Sequence, residues 1–401
     1  MTSLTLPLDV SADAVNDKLL GLYKRAPMRF VRGEGVELID ADGDRYLDFV
    51  SGIGVNALGY GDTGVKEAVA NALDTGLIHV SNLYRTDPAE KLAAELAGLS
   101  FASKVFFCNS GAEANEGAFK FARRWARSLW GGAKTEIIAL RGGFHGRLFA
   151  SLAATDRPSY RAPFRPLAGG ISICERNLAD LDTALNAETA AAIIVEPVQG
   201  EGGIRVLDAA FLAGVRELAT QRNVALIFDE IQCGLGRTGH LFAYERVNVT
   251  PDMVTLAKPL AGGLPMGAVL MTEDIASAMK AGEHGTTFGG GPLVASVALH
   301  VLSRLSDPGL LSAVRENGTW LKERLMSLAE RSARIRAVRG VGLMWGIDVV
   351  EPAADIVRRG WEKGLLTLTA GDHTVRLLPP LVMSRADLER GVAILEQVIG
   401  E

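Results

Sequence analysis

The chain has 401 residues, more than one hydrophobic core usually serves, so two domains are expected. It is 48% hydrophobic and 22% charged, which is ordinary for a globular protein and excludes a disordered chain. The net charge of −5, the pI near 5.8 and the lack of an uncharged apolar run of ~18 residues disfavour nucleic acid and membranes as partners.

The N-terminus and the cysteines indicate the cellular compartment. The first residues, MTSLTLPLDVSADAV, contain no basic segment followed by an apolar core, so they do not resemble a signal peptide. Cys108, Cys174 and Cys233 are far apart and show neither a disulfide framework nor a metal-ligand spacing. We therefore expect a protein of the reducing cytoplasm that has no metal site.

The first predicted elements precede a long alternating region. VRGEGVELIDADGDRYLDF (31–49) predicts a short antiparallel ribbon that turns at Asp42-Gly43. From about residue 100 to 275, continuous apolar runs alternate with amphipathic stretches, such as the helix predicted from Ala112 to Trp130. This order predicts an α/β fold with βαβ units and a mostly parallel sheet. The runs are VFFC (105–108), EIIAL (136–140), ISIC (171–174), AAIIVE (191–196), ALIFDE (225–230), MVTLA (253–257) and AVLMT (268–272).

The C-terminal part predicts a smaller α+β domain. It has an amphipathic helix over 309–332, the strand GLMWGIDVV, a helix near 353–363, the strands LLTLT and VRLLP, and a final helix from Ser384. Ser384 and Asp387 resemble an N-terminal capping pair. We expect three parts: an N-terminal segment (1–50) that packs with the small domain, a large domain (51–297) and a C-terminal small domain (298–401).

Ligands of parallel sheets bind at the carboxyl ends of the strands, where three features of this chain stand out. Asn109-Ser110-Gly111-Ala112-Glu113 links the strand VFFC to a helix, whose N-terminus suits a phosphate. Taken alone, this turn is better explained as a simple helix cap.

Asp229 and Lys258 are the other two features. Asp229 ends the strand ALIFD, where a buried carboxylate needs a partner such as a pyridinium N–H; a helix-capping Asp is the alternative. Lys258 follows the strand MVTLA, where desolvation favours the neutral amine that forms a Schiff base with an aldehyde. A lysine that extends from a strand end into solvent is the alternative.

The chain resembles class III aminotransferases of the acetylornithine and ornithine type. Seven segments carry the resemblance, in family order: HVSNLY (79–84), FFCNSGAEANE (106–116), GGFHGR (142–147), VEPVQGEGG (195–203), FDEIQCGLGRTG (228–239), LAKPLAGGLPMGA (256–268) and HGTTFGG (284–290). The first two are most similar to members that act on N2-acetylornithine. The resemblance implies a fold type I architecture, with a mostly parallel seven-stranded sheet in the large domain and pyridoxal 5'-phosphate as cofactor.

The resemblance also implies a role for each matching cofactor residue. Lys258 is expected to bind the cofactor and then to act as the base that moves the substrate proton. The residues expected to hold the cofactor are Ser110, Gly111 and Ala112 at the phosphate, Phe144 and His145 at the ring, Glu196 beside them, Asp229 at the ring nitrogen and Gln232 at the phenolic oxygen. Thr287 is expected to reach the phosphate of a neighbouring subunit, which implies a homodimer with shared active sites. Without the surrounding family residues, an ordinary turn explains Thr286-Thr287.

Substrate binding is expected at Tyr23, Ile53, Arg147, Glu201, Thr286 and Arg376. By resemblance, Arg147 takes the carboxylate far from the reacting amine, and Arg376 takes the α-carboxylate of glutamate. Glu201 pairs with Arg376 when that carboxylate is absent. Ile53 stands where ornithine aminotransferases have a tyrosine, which favours an acylated substrate. We therefore expect transfer of the δ-amino group of N2-acetylornithine to 2-oxoglutarate, giving N-acetylglutamate 5-semialdehyde and glutamate, in arginine biosynthesis.

Several alternatives stay open at this point. Within the family they are ornithine, succinyl-diaminopimelate or succinylornithine, and 4-aminobutyrate aminotransferases; the semialdehyde aminomutase is disfavoured because it needs no glutamate clamp. LGYGDT (58–63) also departs from the usual family motif LGHxHP. Outside the family, GLGRTG (234–239) fits GxGxxG, with Asp252 as a ribose acid, so a nicotinamide-binding Rossmann protein is the rival. A non-catalytic binding protein would leave Lys258, Asp229 and the arginines unexplained.

Overall fold

A computed structural model describes residues 18–400 of the chain. The first sheet contains β1 (Phe30–Glu34), β2 (Glu37–Asp40) and β3 (Arg45–Asp48), which pair antiparallel in sequence order. Asp40 Oδ1 accepts the backbone N–H groups of Asp42 and Asp44 at 3.1 and 2.9 Å, and Gly43 has φ +91°. The predicted turn at Asp42-Gly43 is therefore confirmed.

A central seven-stranded sheet has the order β4-β12-β11-β10-β7-β5-β6. Only β12 runs antiparallel to its neighbours. Every side chain of β7 and β10 is buried, as their uninterrupted apolar sequences predict. The strands of this region are β4 (Lys104–Cys108), β5 (Glu136–Leu140), β6 (Ile171–Cys174), β7 (Ala190–Val195), the hairpin strands β8 (Val198–Gln199) and β9 (Arg205–Val206), β10 (Ala225–Asp229), β11 (Met253–Leu256) and β12 (Gly267–Met271).

Helices cover both faces of this sheet, and two clusters of buried apolar side chains lie between the layers. The helix Gly111–Trp130 buries Ala114, Ala118 and Ala122, because these residues recur at helical spacing. The other helices are Thr63–Asp74, Asp87–Gly98, Phe149–Ala153, Pro158–Arg161, Leu178–Ala184, Ala209–Gln221, Ala243–Val247, Glu273–Ser277 and Pro292–Leu305, with 3₁₀ turns at Ala162–Phe164 and Lys258–Ala261. The predicted α/β architecture with a mostly parallel seven-stranded sheet is confirmed.

The C-terminal part has a four-stranded antiparallel sheet, β13-β14-β17-β16. Its strands are β13 (Ile335–Val341), β14 (Met344–Val349), β16 (Leu368–Thr369) and β17 (Thr374–Leu377); its helices are Pro308–Arg331, Ala353–Glu362 and Arg385–Gly400. The prediction missed β13, an edge strand whose polar and half-exposed residues give no apolar run. The capping pair is confirmed, since Ser384 Oγ donates to Asp387 Oδ2 at 2.6 Å and accepts from its N–H at 3.1 Å.

The run LLTLT is not one strand, as the sequence predicted, but two. β15 (Leu365–Leu366) pairs with β3 in parallel and completes the first sheet, whereas β16 joins the C-terminal sheet. The N-terminal strands are therefore bonded to the C-terminal part. The expected domain boundary between residues 297 and 298 falls within the helix Pro292–Leu305, and that division remains a prediction. Within residues 18–400, no helix is long and apolar enough to cross a membrane.

Candidate active site

A cavity of about 410 Å³ opens at the carboxyl ends of β4, β7, β10 and β11. It brings together residues that lie far apart in the sequence. Of the residues predicted to bind cofactor or substrate, the cavity is lined by Ser110, Gly111, Ala112, Phe144, His145, Arg147, Glu196, Glu201, Asp229, Gln232 and Lys258. A larger cleft of about 610 Å³, lined in part by Arg205 and Val206 of β9, contains none of the predicted residues.

The helix Gly111–Trp130 points its N-terminus at this cavity. Ser110 is the N-cap, and its Oγ accepts the N–H of Glu113 at 3.2 Å. The cap interpretation of this turn is thus correct, but the capping residues also line the cavity. A Cβ on Gly111 would lie 2.8 Å from Ile231, so only glycine lets the backbone approach so closely. The free N–H groups and the positive end of the helix dipole suit a phosphate.

Asp229 lies buried at the end of β10, and one of its carboxylate oxygens forms hydrogen bonds with two side chains. Its Oδ2 lies 2.8 Å from His145 Nδ1 and accepts Asn115 Nδ2 at 2.8 Å. Asn115 Nδ2 also donates to the carbonyl of His145 at 2.7 Å. Sequence reasoning missed Asn115, although a polar residue one helical turn after Gly111 on the buried face was an available signal. The other oxygen, Oδ1, accepts the N–H of Ile231 at 3.1 Å.

The buried charges beside Asp229 shift one another's titration. Burial alone would lower the pKa of His145, but its hydrogen bond with Asp229 and the negative charge there outweigh this and raise it. Burial raises the pKa of Glu196 to about 7; His145 opposes that rise and Asp229 adds to it. Glu196 Oε2 accepts the N–H of Phe144 at 2.9 Å. This contact fixes the backbone of the loop that carries Phe144 and His145.

Lys258 follows β11 and has a backbone φ of +36°, a sparsely populated conformation outside glycine. Burial, together with the positive charge of Arg376, lowers the pKa of its amine to about 8. Among residues 18–400 the amine joins no ion pair. Lys258 lines the cavity, and a large fraction of its amine is neutral slightly above neutral pH.

Arg376 and Arg147 differ in whether a carboxylate pairs with them. Arg376 on β17 is 3% exposed, and its Nη1 donates to Glu201 Oε1 at 2.6 Å. Arg147 lines the cavity and, within residues 18–400, has no carboxylate within ion-pair distance. Its guanidinium carbon lies 3.5 Å above the ring centre of Tyr160. Arg376 is therefore neutralised by a carboxylate of the protein, whereas Arg147 is available to bind an anion.

The remaining predicted residues are not among those that line the cavity. Tyr23 is exposed, and Thr287 is exposed on the single chain. Thr286 Oγ1 accepts Asn109 Nδ2 at 2.9 Å, which links it to the phosphate-facing turn. Ile53 lies in a left-handed turn, Ser51–Gly54, in which all four residues have positive φ. A β-branched residue at φ +66° is a genuine outlier, and such strain concentrates at functional sites.

The GxGxxG-like turn has a structural role. It packs beneath the C-terminal sheet, where the buried Arg237 donates to the carbonyl oxygens of Leu343 and Pro379. Asp252 pairs with Arg216 at 2.7 Å, and its Oδ2 also accepts the N–H of Leu226. Neither lines the cavity, so the nicotinamide interpretation has no site.

Pyridoxal phosphate fits the residues that are present. Among the partners that residues 18–400 offer, none bonds the buried Gln232 Oε1, and a Cβ on Gly200 would lie 2.0 Å from it. That orphaned oxygen, the capped helix start, the buried Asp229 and the lysine of lowered pKa together match a phosphorylated pyridine aldehyde. Fold and cavity thus define an enzyme that depends on pyridoxal phosphate.

Comparison with known proteins gives the family. The family model "Aminotransferase class-III" matches residues 23–399, and the chain belongs to this family of pyridoxal-phosphate-dependent aminotransferases. It is 45% identical to acetylornithine aminotransferase of Methanocaldococcus jannaschii, over 95% of this chain and 96% of that one. Succinylornithine transaminase of Yersinia enterocolitica is 42% identical, over 97% and 96%. The solved ornithine aminotransferase of Toxoplasma gondii superposes with a TM-score of 0.92 at 28% identity, over 96% and 93%.

Proposed function

We propose that this enzyme transfers the δ-amino group of N2-acetylornithine to 2-oxoglutarate, giving N-acetylglutamate 5-semialdehyde and glutamate. The observation that carries the proposal is the contrast between the two arginines: Arg147 is open to the cavity, whereas Arg376 is capped by Glu201. A donor with one carboxylate far from its amine needs only the open arginine. Glutamate, with a second carboxylate beside its amine, needs both. The 45% identity to an acetylornithine aminotransferase supports the same choice.

The cofactor would be held by the residues that line the cavity. The N–H groups of Gly111 and Ala112 and the hydroxyl of Ser110 would bind the phosphate. Asp229 would hold the ring nitrogen, and the side-chain amide of Gln232, whose Oε1 has no hydrogen-bond partner among residues 18–400, would meet the phenolic oxygen. The other ring contacts, by our proposal, are Phe144 over the ring and His145 and Glu196 beside it. When bound, the cofactor supplies an aldehyde that takes up the amino group and a ring that accepts electrons.

Lys258 would move the proton. Its neutral amine would hold the cofactor until the substrate amine replaces it, and would then be free to act as a base. It would remove a proton from the substrate carbon that bears the amine, hold that proton and later release it. A pKa of about 8 suits this task, because the group can both accept and release a proton near physiological pH.

Asn115 and His145 would hold the Asp229 carboxylate in place. Both approach the same oxygen, Oδ2, at 2.8 Å, and His145 is buried with a raised pKa. Within the described part of the chain, residues 18–400, this leaves Oδ1 with a single hydrogen bond, from Ile231 N–H at 3.1 Å. A carboxylate held in this position is the partner that a protonated ring nitrogen requires.

Glu201 would act as the switch between the two substrates. When the acylated donor occupies the cavity, Glu201 stays paired with Arg376 and neutralises it. When glutamate enters, its α-carboxylate replaces Glu201 at Arg376, while its other carboxylate binds Arg147. The protein carboxylate thus prevents a buried, unpaired guanidinium in the first half-reaction.

Ile53, Tyr23 and Thr286 would border the distal end of the substrate. Ile53 lies on the left-handed turn just before Val55, which lines the cavity. A tyrosine at this position would narrow the space for an acyl group, so the smaller isoleucine supports an acylated donor.

We further propose that the enzyme is a homodimer with shared sites, acting in the cytoplasm in arginine biosynthesis. Thr287 is exposed on the single chain, next to Phe288, which is 65% exposed. Nearby apolar side chains in the segment before residue 85 are also exposed: Leu77, Ile78, Leu83 and Tyr84. So large an apolar patch is typical of a protein interface. The three cysteines are free thiols, which suits a reducing compartment.

Steady-state rates on a panel of amino donors test the substrate proposal. The panel contains N2-acetylornithine, N2-succinylornithine, succinyl-diaminopimelate, ornithine and 4-aminobutyrate, with 2-oxoglutarate as acceptor. We expect the highest kcat/KM for N2-acetylornithine, and Lys258→Ala is the inactive control. A preference for ornithine or 4-aminobutyrate would refute the substrate assignment, and a preference for a succinyl donor would correct the acyl group. Sedimentation at micromolar concentration tests the dimer, which a monomer peak would exclude.

A further inference from the structure

The guanidinium of Arg147 is held by an aromatic ring instead of a carboxylate. Its central carbon lies 3.5 Å from the ring centre of Tyr160 and 5.9 Å from that of Phe144. Within residues 18–400, no acidic side chain pairs with it, although the residue itself is exposed. Arg376, by contrast, is buried and bonded to Glu201. Of these two ring contacts, the stack on Tyr160 is the closer one, and it orients Arg147.

Tyr160 is attached to a well-fixed frame. It lies on the short helix Pro158–Arg161, and its N–H donates to the carbonyl of Arg157 at 3.0 Å. Just before this helix, Asp156 Oδ2 accepts the N–H of Gly142 at 2.8 Å. The Asp156 N–H donates to the carbonyl of Gly143, also at 2.8 Å. Gly142 and Gly143 precede the loop that carries Phe144 and Arg147, so ring and guanidinium are tied to one loop.

The same frame contacts the Glu201 switch. The Arg157 guanidinium donates to the backbone carbonyl of Glu201. A segment of four residues, Arg157–Tyr160, thus touches the open arginine at one end and the backbone of the switch carboxylate at the other. Sequence reasoning missed this segment, because nothing in its composition marks it as part of a site.

We propose that Tyr160 is a positioning residue for substrate: it stacks on Arg147 and presents its N–H edge to the distal carboxylate. This inference rests on the proposed role of Arg147. Stacking uses the face of the guanidinium and leaves the in-plane N–H groups free for a bidentate carboxylate. An arginine already confined in one orientation loses less side-chain freedom when the carboxylate binds. Because both substrates present a distal carboxylate, Tyr160 serves both half-reactions, whereas Arg376 serves one.

Three variants test this role. Tyr160→Ala removes the ring, and Tyr160→Phe keeps it; within residues 18–400 the Tyr160 hydroxyl makes no hydrogen bond that the change would break. Phe164→Ala, on the adjacent 3₁₀ turn, is the matched control, since Phe164 is exposed and makes no ring contact with Arg147. We expect Tyr160→Ala to raise KM for N2-acetylornithine by about 3- to 10-fold with a smaller change in kcat. Tyr160→Phe and Phe164→Ala should remain close to wild type.

A donor that lacks the carboxylate separates positioning from general damage. N-acetyl-1,4-diaminobutane keeps the acyl group and the reacting amine of N2-acetylornithine but has no carboxylate for Arg147. Single-turnover assays can measure slow donors. In such assays, the Tyr160→Ala variant should react with this analogue at the same rate as the wild type. Equal losses on both donors, or an unchanged KM for N2-acetylornithine, would overturn the role of Tyr160.

Failure of the proposed function gives a different result. If the wild-type enzyme is inactive on N2-acetylornithine, the substrate proposal falls, and the same variants are compared on glutamate and on 2-aminobutyrate, which lacks the distal carboxylate. A selective loss on glutamate would still support Tyr160. Equal loss on these two, or no loss on either, would refute it.

Discussion

Replacing Arg376 with alanine should damage one half-reaction far more than the other. Arg376 is 3% exposed and donates to Glu201 at 2.6 Å. In the proposed switch, the α-carboxylate of glutamate replaces Glu201 at Arg376. Among residues 18–400, the only arginine or lysine side chains that line the cavity are Arg147 and Lys258. The acylated donor does not use this contact.

The magnitude follows from the hydrogen bonds that are lost. Bonds between charged partners contribute about 1.5–3 kcal/mol, so kcat/KM for glutamate should fall by about 10- to 150-fold. For the N2-acetylornithine half-reaction, kcat/KM should fall only a few-fold. A second effect acts on both: Arg376 helps to lower the pKa of Lys258, so its removal should raise that pKa above about 8. Both half-reactions should then reach their plateau at higher pH than in the wild type.

Single-turnover absorbance changes of the bound cofactor, recorded for each donor separately, measure the two half-reactions. The comparison is made on the high-pH plateau, where the free amine of Lys258 is neutral in both proteins. Arg376→Lys is the control, because it keeps the charge without the planar pair of donors. Equal losses for glutamate and for N2-acetylornithine on that plateau would remove Arg376 from the switch.

Three further predictions address the lysine, the switch carboxylate and the acyl pocket. Capture of pyridoxal phosphate by cofactor-free protein should rise with pH and level off above about 8 rather than near 10.5, because only the neutral amine reacts; borohydride should then fix the label on Lys258, and label on another lysine would contradict the assignment. Glu201→Ala should raise kcat/KM for α-amino relative to δ-amino donors by about 5-fold, since Arg376 is then uncapped; unchanged selectivity would count against the switch. Ile53→Tyr should lower kcat/KM for N2-acetylornithine by about 10-fold, the effect of about 1.4 kcal/mol of lost fit, and leave ornithine less affected; parallel losses would show that the left-handed turn had been damaged instead.

Much of the fold could be predicted, because its strands are buried on both faces. β7 and β10 are continuous apolar runs, which no exposed element would tolerate. The strand predictions failed where this apolar signal is weak. β13 is a half-exposed edge strand, and β15 and β16 are two-residue strands separated only by Thr367. Nothing in LLTLT indicates that two sheets share it, because the partners of each half lie far away in the sequence.

The grouping of residues around the cavity could be predicted to a similar degree. Strand ends in a parallel sheet meet at one edge, so Asp229, Lys258 and the turn at Gly111 were expected to be neighbours. The orientation of Arg147 could not be predicted, because it depends on a stack with Tyr160, which belongs to no recognisable motif. Likewise, the double contact of Asn115 requires knowing which face of its helix is turned toward β10. The roles of these residues remain predictions that the experiments above address.

The pairing of β15 with β3 has a consequence for the order of events during synthesis. The first sheet emerges from the ribosome early, but its fourth strand comes near the end of the chain, and Ser51 Oγ bonds the carbonyl of Leu378 across a separation of 327 residues. At typical elongation rates of about 5–20 residues per second, that interval lasts roughly 15–65 s. During this time β3 has an unfilled edge, and the left-handed turn that carries Ile53 lacks its anchor. The substrate end of the cavity is therefore among the last parts to form, so a truncated chain should retain much of the central sheet yet lack a competent site.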